Sequence, residues 1–263
     1  MIKCLHPITL RRPGRVPERF EVPCGKCSLC LSRKRSDWSF RLMCETELAD
    51  SAYFITLTYN DENCPCICNK KHIQDFLKRF RKRINSAPVR YFCVCDYGGK
   101  FGRPHYHLLL FNYPLCRERL ISDLKASWKF CDEFMFNYGD AVAFVEPASI
   151  NYVCKYCLGN LDSDDSDVRY WLLSSRNPAI GKNYLSDNML RYVRRRFDGC
   201  TVFKGKKVPL PRYVMDKVFT AEEKELIQIK RFYDTENQNP DPVLFDQKLR
   251  DKDRIIRSKL KNK

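Results

Sequence analysis

A chain of 263 residues with 48 Lys and Arg against 32 Asp and Glu carries a formal charge of +16; this length suits one substantial core with appendages rather than two equal domains. Its apolar runs are about five residues long, far short of the roughly 20 that cross a bilayer. The start, Met1-Ile2-Lys3-Cys4-Leu5-His6-Pro7, has no apolar leader, so a soluble intracellular protein is expected. The basic excess is clustered in Arg33-Lys34-Arg35, Lys78 to Arg83 and Arg194-Arg195-Arg196, which points to a polyanionic partner, nucleic acid first. The 15 cysteines, in a chain neither small nor equipped for export, read as reduced thiols.

In chain order, Cys24-Gly25-Lys26-Cys27-Ser28-Leu29-Cys30 comes first, with Cys4 upstream as a fourth ligand. Thiolates at this spacing fold round one tetrahedral zinc, which with four Cys would be structural; the alternative is a set of reduced structural cysteines. Ser28 to Leu48 lacks Gly and Pro and predicts a basic helix. Ala52 to Tyr59 predicts a strand with Tyr53, Ile55, Leu57 and Tyr59 on the core face and Phe54, Thr56 and Thr58 on the other. A turn-like stretch from Asn60 to Asn69 contains Cys64-Pro65-Cys66-Ile67-Cys68, read as a reduced loop rather than a metal site. Ile73, Phe76, Leu77, Phe80 and Ile84 then recur at helical spacing.

Val89 to Asp96 and His105 to Phe111 predict two strands joined by a glycine-rich turn from Tyr97 to Pro104. His105 and His107 share one strand face, and the hairpin brings Asp96 to them. Two His and a carboxylate with open coordination positions suit Mg²⁺ or Mn²⁺; the alternatives are solvated histidines and a turn-capping aspartate. Leu120, Ile121, Leu124 and Trp128 mark a further helix and Ala141 to Val145 a fourth strand. From Pro147 to Gly159 a helix is expected, with Ile150, Val153, Cys154, Cys157 and Leu158 on its apolar stripe and Tyr152, Lys155 and Tyr156 opposite.

This order predicts an α+β chain: a ferredoxin-like split βαβ core with an antiparallel sheet, helices on one face and His105 and His107 on an open face. Three segments are expected: a Cys-rich region with a basic helix over 1–50, the core over 51–160, and a basic C-terminal extension over 161–263. In the last, Leu161 to Asp167 reads as an acidic loop, Trp171 to Arg196 as mixed turns, aromatics and arginines, Thr220 to Glu223 as a capping box, and the end from Lys248 as helical or frayed.

Several stretches together resemble the replication initiators of microvirus-group phages, gokushovirus-like, within the HUH endonuclease superfamily. They are Pro23 to Cys27, Phe54 to Tyr59, Asp96-Tyr97-Gly98-Gly99 through Gly102 to His107, Tyr152-Val153-Cys154-Lys155-Tyr156, Asn177 to Gly181 and Leu210-Pro211-Arg212-Tyr213. The resemblance implies the HUH fold and a nickase that opens single-stranded origin DNA in the host cytoplasm. It would stay joined to the 5′ phosphate through tyrosine, later close the circle, and work beside a host helicase and polymerase. Tyr152 and Tyr156 would be the alternating nucleophiles, with Lys155 favouring the phenolate and His105, His107 and Asp96 holding Mg²⁺ or Mn²⁺. Because the ester bond to tyrosine conserves the energy for rejoining, no nucleotide cofactor is expected.

The sequence departs from the family at two places. The carboxylate is commonly Glu where Asp96 stands, and a Lys commonly follows the second tyrosine by three residues where Gly159 stands, which favours Tyr152 as the dominant nucleophile. The competing expectation is a non-catalytic single-stranded nucleic-acid-binding protein with a structural zinc site.

Overall fold

The computed structural model describes residues 4–11, 13–14, 18–98, 102–132, 136, 141–158, 170–238 and 242–261. The elements run β1 (Ile8–Arg11), β2 (Arg19–Val22), α1 (Ser28–Leu48), β3 (Ala52–Leu57), α2 (Lys70–Arg83), β4 (Arg90–Tyr97) and β5 (Pro104–Phe111). They continue with α3 (Arg117–Ser127), β6 (Val142–Phe144), α4 (Pro147–Lys155), β7 (Leu172–Ser174), α5 (Asp187–Arg196), β8 (Cys200–Phe203), β9 (Lys206–Pro209), α6 (Arg212–Val218), α7 (Ala221–Gln238) and α8 (Pro242–Lys261). The chain divides into two compact units, Ser39–Tyr184 and Met1–Trp38 with Leu185–Lys263, with boundaries other than the 51 and 160 read from the sequence. The expected acidic loop from Leu161 to Asp167 and the helix stop at Gly159 lie outside the described residues.

The unit Ser39–Tyr184 is built on an antiparallel sheet in the order β6-β3-β5-β4-β7. Numbered along the chain, the four expected strands stand 4-1-3-2, the ferredoxin-like arrangement, so the α+β expectation holds. β3 alternates as its sequence demands, with Tyr53, Ile55 and Leu57 buried. They meet Ile73, Phe76 and Phe80 of α2 and Leu120 and Leu124 of α3, which together with Trp128 and Tyr106 form the core under this face. Asn69 caps α2, its side chain accepting from the Lys71 N–H at 2.9 Å.

Two expectations change. A fifth strand, β7, pairs with β4 (Leu172 opposite Val94, Ser174 opposite Phe92), drawn from the stretch read as turns and aromatics. The opposite sheet face is not open along its length: Phe92, Leu109 and Phe111 there are fully buried. On this side Arg90 of β4 pairs with Glu45 of α1 at 3.0 Å, both side chains almost wholly buried. Glu45 also accepts from the Gly181 N–H at 2.8 Å, so the Asn177 to Gly181 segment is tied down at one point with α1 and β4. Gly181 has φ +78°, and a Cβ there would lie 3.0 Å from the Arg41 Cβ, which leaves room for glycine alone.

In the other unit β1 pairs with β2 and β8 with β9, two hairpins the sequence reading did not resolve. The β8–β9 turn carries Lys204 at φ 48° and Gly205 at φ 74°, the backbone of a tight hairpin. The α7 capping box is present: Thr220 Oγ1 accepts from the Glu223 N–H at 3.2 Å and Glu223 from the Thr220 N–H at 2.8 Å.

Candidate active site and thiol cluster

Strand register assembles the site. Asp96 of β4 lies directly opposite His105 of β5, and Thr56 of β3 opposite His107. Asp96 Oδ2 is 3.2 Å from His105 Nε2 and 3.4 Å from His107 Nε2, and it accepts the Tyr156 hydroxyl. The rings are turned by their other nitrogens, His105 Nδ1 against the Arg103 carbonyl at 3.1 Å and His107 Nδ1 against Thr56 Oγ1 at 3.3 Å. Both Nε2 atoms therefore converge beside one carboxylate oxygen, and His107 Nε2 is buried without a hydrogen-bond partner. A divalent cation fits this donor set: two imidazole nitrogens and a carboxylate oxygen lie within 4.8 Å of one another, and one of the nitrogens is a buried atom in want of a partner.

Burial alone would raise the Asp96 carboxyl, but hydrogen bonds from His105, His107 and Tyr156 outweigh it and hold the group well below the usual carboxylate range. The histidines move in opposite directions. Burial opposes charge on His105, yet the Asp96 carboxylate and the Arg103 carbonyl raise it; burial and the neighbouring His105 lower His107.

Helix α4 brings the tyrosines. It opens at Pro147, as expected, but ends at Lys155, and Tyr156 to Leu158 tighten into a 3₁₀ turn. That tightening overturns the expectation that Tyr152 and Tyr156 both face away from the core. Tyr152 is 38% exposed, whereas Tyr156 is 8% exposed with its hydroxyl on Asp96. The Tyr152 ring stands edge-on to His107 at 5.0 Å, and the Tyr156 ring stacks near it at 5.9 Å.

Lys155 Nζ sits over the ring faces, 3.9 Å from the Tyr152 centroid and 4.8 Å from that of Tyr156. This is a cation–π placement in which the phenolate is not favoured: burial and the Asp96 charge raise Tyr152, and burial with the Asp96 hydrogen bond raises Tyr156 far more. Two neighbours escaped the sequence reading. Phe54 stacks on His107 at 5.4 Å, and Tyr170 stacks on Tyr156 at 6.0 Å; the open-face alternation of β3 pointed to the first, and no local pattern pointed to the second.

In the unit that holds the chain ends, Cys4, Cys24, Cys27 and Cys30 come together. Their sulfurs lie 3.6 Å (Cys4 to Cys30), 3.8 Å (Cys4 to Cys27) and 3.9 Å (Cys24 to Cys30) apart. Four sulfurs each about 2.3 Å from a tetrahedral zinc would stand about 3.8 Å apart. Burial opposes ionisation of Cys24, but the Cys27 and Lys26 N–H groups and the neighbouring thiols bring it down to about 6. Leu29, Leu249 and Ile256 pack against the cluster. Cys64, Cys66 and Cys68 are in no such group among the described residues, in keeping with the reduced-loop reading.

Comparison with known proteins agrees with this geometry. Residues 52–160 match the family of replication-associated proteins of the ORF2 type, a match that spans the sheet from β3 and the tyrosine helix. The chain is 28% identical over 216 residues to replication-associated protein VP4 of Bdellovibrio phage phiMH2K, covering 75% of this chain and 67% of that protein. It is 27% identical over 240 residues to replication-associated protein ORF4 of Chlamydia phage 1, covering 84% and 58%. It is also 27% identical over 210 residues to replication-associated protein ORF2 of Spiroplasma virus 4, covering 73% and 66%. The chain thus spans about two thirds or less of the length of these relatives. No solved structure matches it. The fold, the site and these matches define a replication-associated protein of the phage type. They support a microvirus-like replication initiator, as the sequence motifs implied.

Proposed function

We propose that this chain starts rolling-circle replication by nicking single-stranded origin DNA with a tyrosine and later rejoining the strand. The observation that carries the reading is the convergence of His105 Nε2, His107 Nε2 and the Tyr156 hydroxyl on one oxygen of Asp96, with Tyr152 half-exposed against His107. The hydroxyl of Tyr152 attacks the scissile phosphorus. The phosphorus–O3′ bond breaks, the phenolic proton is lost, and the departing O3′ ends as a hydroxyl, leaving the 5′ phosphate esterified to tyrosine. Attack by a 3′ hydroxyl on that ester reverses the bonding and rejoins the strand. Arg103 and Thr56 hold the imidazoles in orientation. Mg²⁺ or Mn²⁺ held by Asp96, His105 and His107 would supply a Lewis acid for the phosphate oxygens and offset the carboxylate charge that keeps the phenols protonated. The exposure of Tyr152 supports its acting first, while Tyr156, bound to Asp96, is held in reserve for a second exchange.

The test is incubation with single-stranded origin DNA and Mn²⁺, followed by a search for a covalent 5′ adduct. Wild type should form it and the Tyr152→Phe, Tyr156→Phe double variant should not; absence from wild type, or persistence in the double variant, overturns the mechanism and leaves a strand-binding protein.

The thiol cluster is proposed as a structural zinc site, supported by the sulfur spacing and by the absence of an open ligand position in a four-cysteine set. Metal analysis of the purified chain should give one zinc, lost in a Cys24→Ser, Cys27→Ser variant; zinc content unchanged by those substitutions would refute it.

A further inference from the structure

Strand β7 leads away from the tyrosines to a second site. At its start Tyr170 stacks on Tyr156, and the strand follows β4 from Val94 to Phe92. At its far end lies a cavity of about 690 Å³ whose wall includes Arg81, Arg90, Tyr91, Ser175, Arg176 and Asn183. Among the described residues three arginines line it and no carboxylate does, so an anion is favoured. The Arg81 guanidinium lies over the Tyr91 ring at 5.6 Å, a flat cationic platform of the kind on which bases stack. The amides and hydroxyls of the wall offer donors and acceptors for a base edge. Arg90, whose NH1 donates to Asn183 Oδ1 at 3.0 Å, is buried in this wall and keeps its Nε–H without a hydrogen-bond partner.

We infer that this cavity is a subsite for one nucleotide of the single strand, phosphate against the arginines and base against the Arg81–Tyr91 platform. Arg90 and Asp96 are six positions apart on β4, about 20 Å of strand, a distance that a bound single strand covers in a few nucleotides. The subsite therefore sets how much DNA beside the nick is gripped. It rests on the nickase reading for the direction of the strand, and can be tested apart from it.

The experiment measures binding of fluorescein-labelled oligothymidylates of about 4 and about 12 nucleotides, lengths within the range of single-strand sites, to the full chain in EDTA. A 5-iododeoxyuridine version of the longer oligonucleotide is crosslinked by light. Wild type should bind the longer strand at least about tenfold more tightly. Arg81→Ala with Arg176→Ala should remove most of that gain and leave the shorter strand unchanged, while the charge-matched Lys71→Ala, Lys78→Ala control should keep it. Crosslinks should fall on Tyr91 or on residues 173–183. Undiminished binding of the longer strand by the arginine variant, an equal loss in the lysine control, or crosslinks only elsewhere would overturn the subsite. If length-dependent, arginine-dependent binding persists while wild type forms no covalent adduct, the nickase reading falls and the subsite stands.

Discussion

Asp96 is the residue on which the candidate site depends, because one of its oxygens meets both imidazoles and the Tyr156 hydroxyl. The asymmetry between the tyrosines follows from it. Tyr156 spends its hydroxyl on Asp96 and is buried, so Tyr156→Phe should still give a first adduct, whereas Tyr152→Phe should lower adduct formation by roughly 10³-fold or more, the scale on which loss of a nucleophile is felt. Single-turnover adduct yields from the two variants check this, and equal losses would contradict it. Thr56 acts at one remove: its hydroxyl meets His107 Nδ1. Thr56→Val should weaken Mn²⁺ binding about tenfold, with Thr56→Ser restoring it, as read by Mn²⁺ titration of the free chain. At this scale the sequence was informative where residues repeat at strand or helix period, as in His-x-His. It was silent on the Lys155 ammonium, because whether a cation reaches a phenol oxygen or its ring depends on rotamers set by packing.

At the scale of elements, the sheet owes its legibility to alternation. β3, β4 and β5 were recognised because one side of each packs on α2 and α3, so burial writes a period of two into the residues. β7 is three residues long, too short to show a period, and exists because β4 offers it a free edge. Helix α4 was placed by Pro147 but overextended; its final turn is tightened where the Tyr156 hydroxyl reaches Asp96, a partner 60 positions away. The pair Glu45–Arg90 joins α1 to the sheet from inside. Glu45→Ala leaves a buried guanidinium without its carboxylate and should cost about 3–5 kcal/mol, measured by urea unfolding. In the core beneath the opposite face, Phe76→Ala should cost a similar ~3–5 kcal/mol.

Across the whole molecule, charge is the property that acts at a distance. With a formal +16, binding of single strands should be strongly salt-dependent: a strand held at about five phosphates gives a slope near −3.5 of log affinity against log salt. A slope near zero in an anisotropy titration would show that the basic residues do not grip the backbone. The chain's composition, the period-two strands, the amphipathic helices, the His-x-His strand and the Cys spacing are local properties, and the amino-acid order determines them by itself. So the α+β class, the ferredoxin-like order, the candidate metal triad and the four-thiol cluster could all be read in advance. Tertiary structure alone decided which tyrosine is exposed, where the Lys155 charge sits, that a fifth strand extends the sheet towards an arginine-lined cavity, and that Cys4 lies within 3.8 Å of Cys27. Each depends on residues far apart in the chain packing against one another, and distance in space between such residues leaves no periodic mark in the sequence.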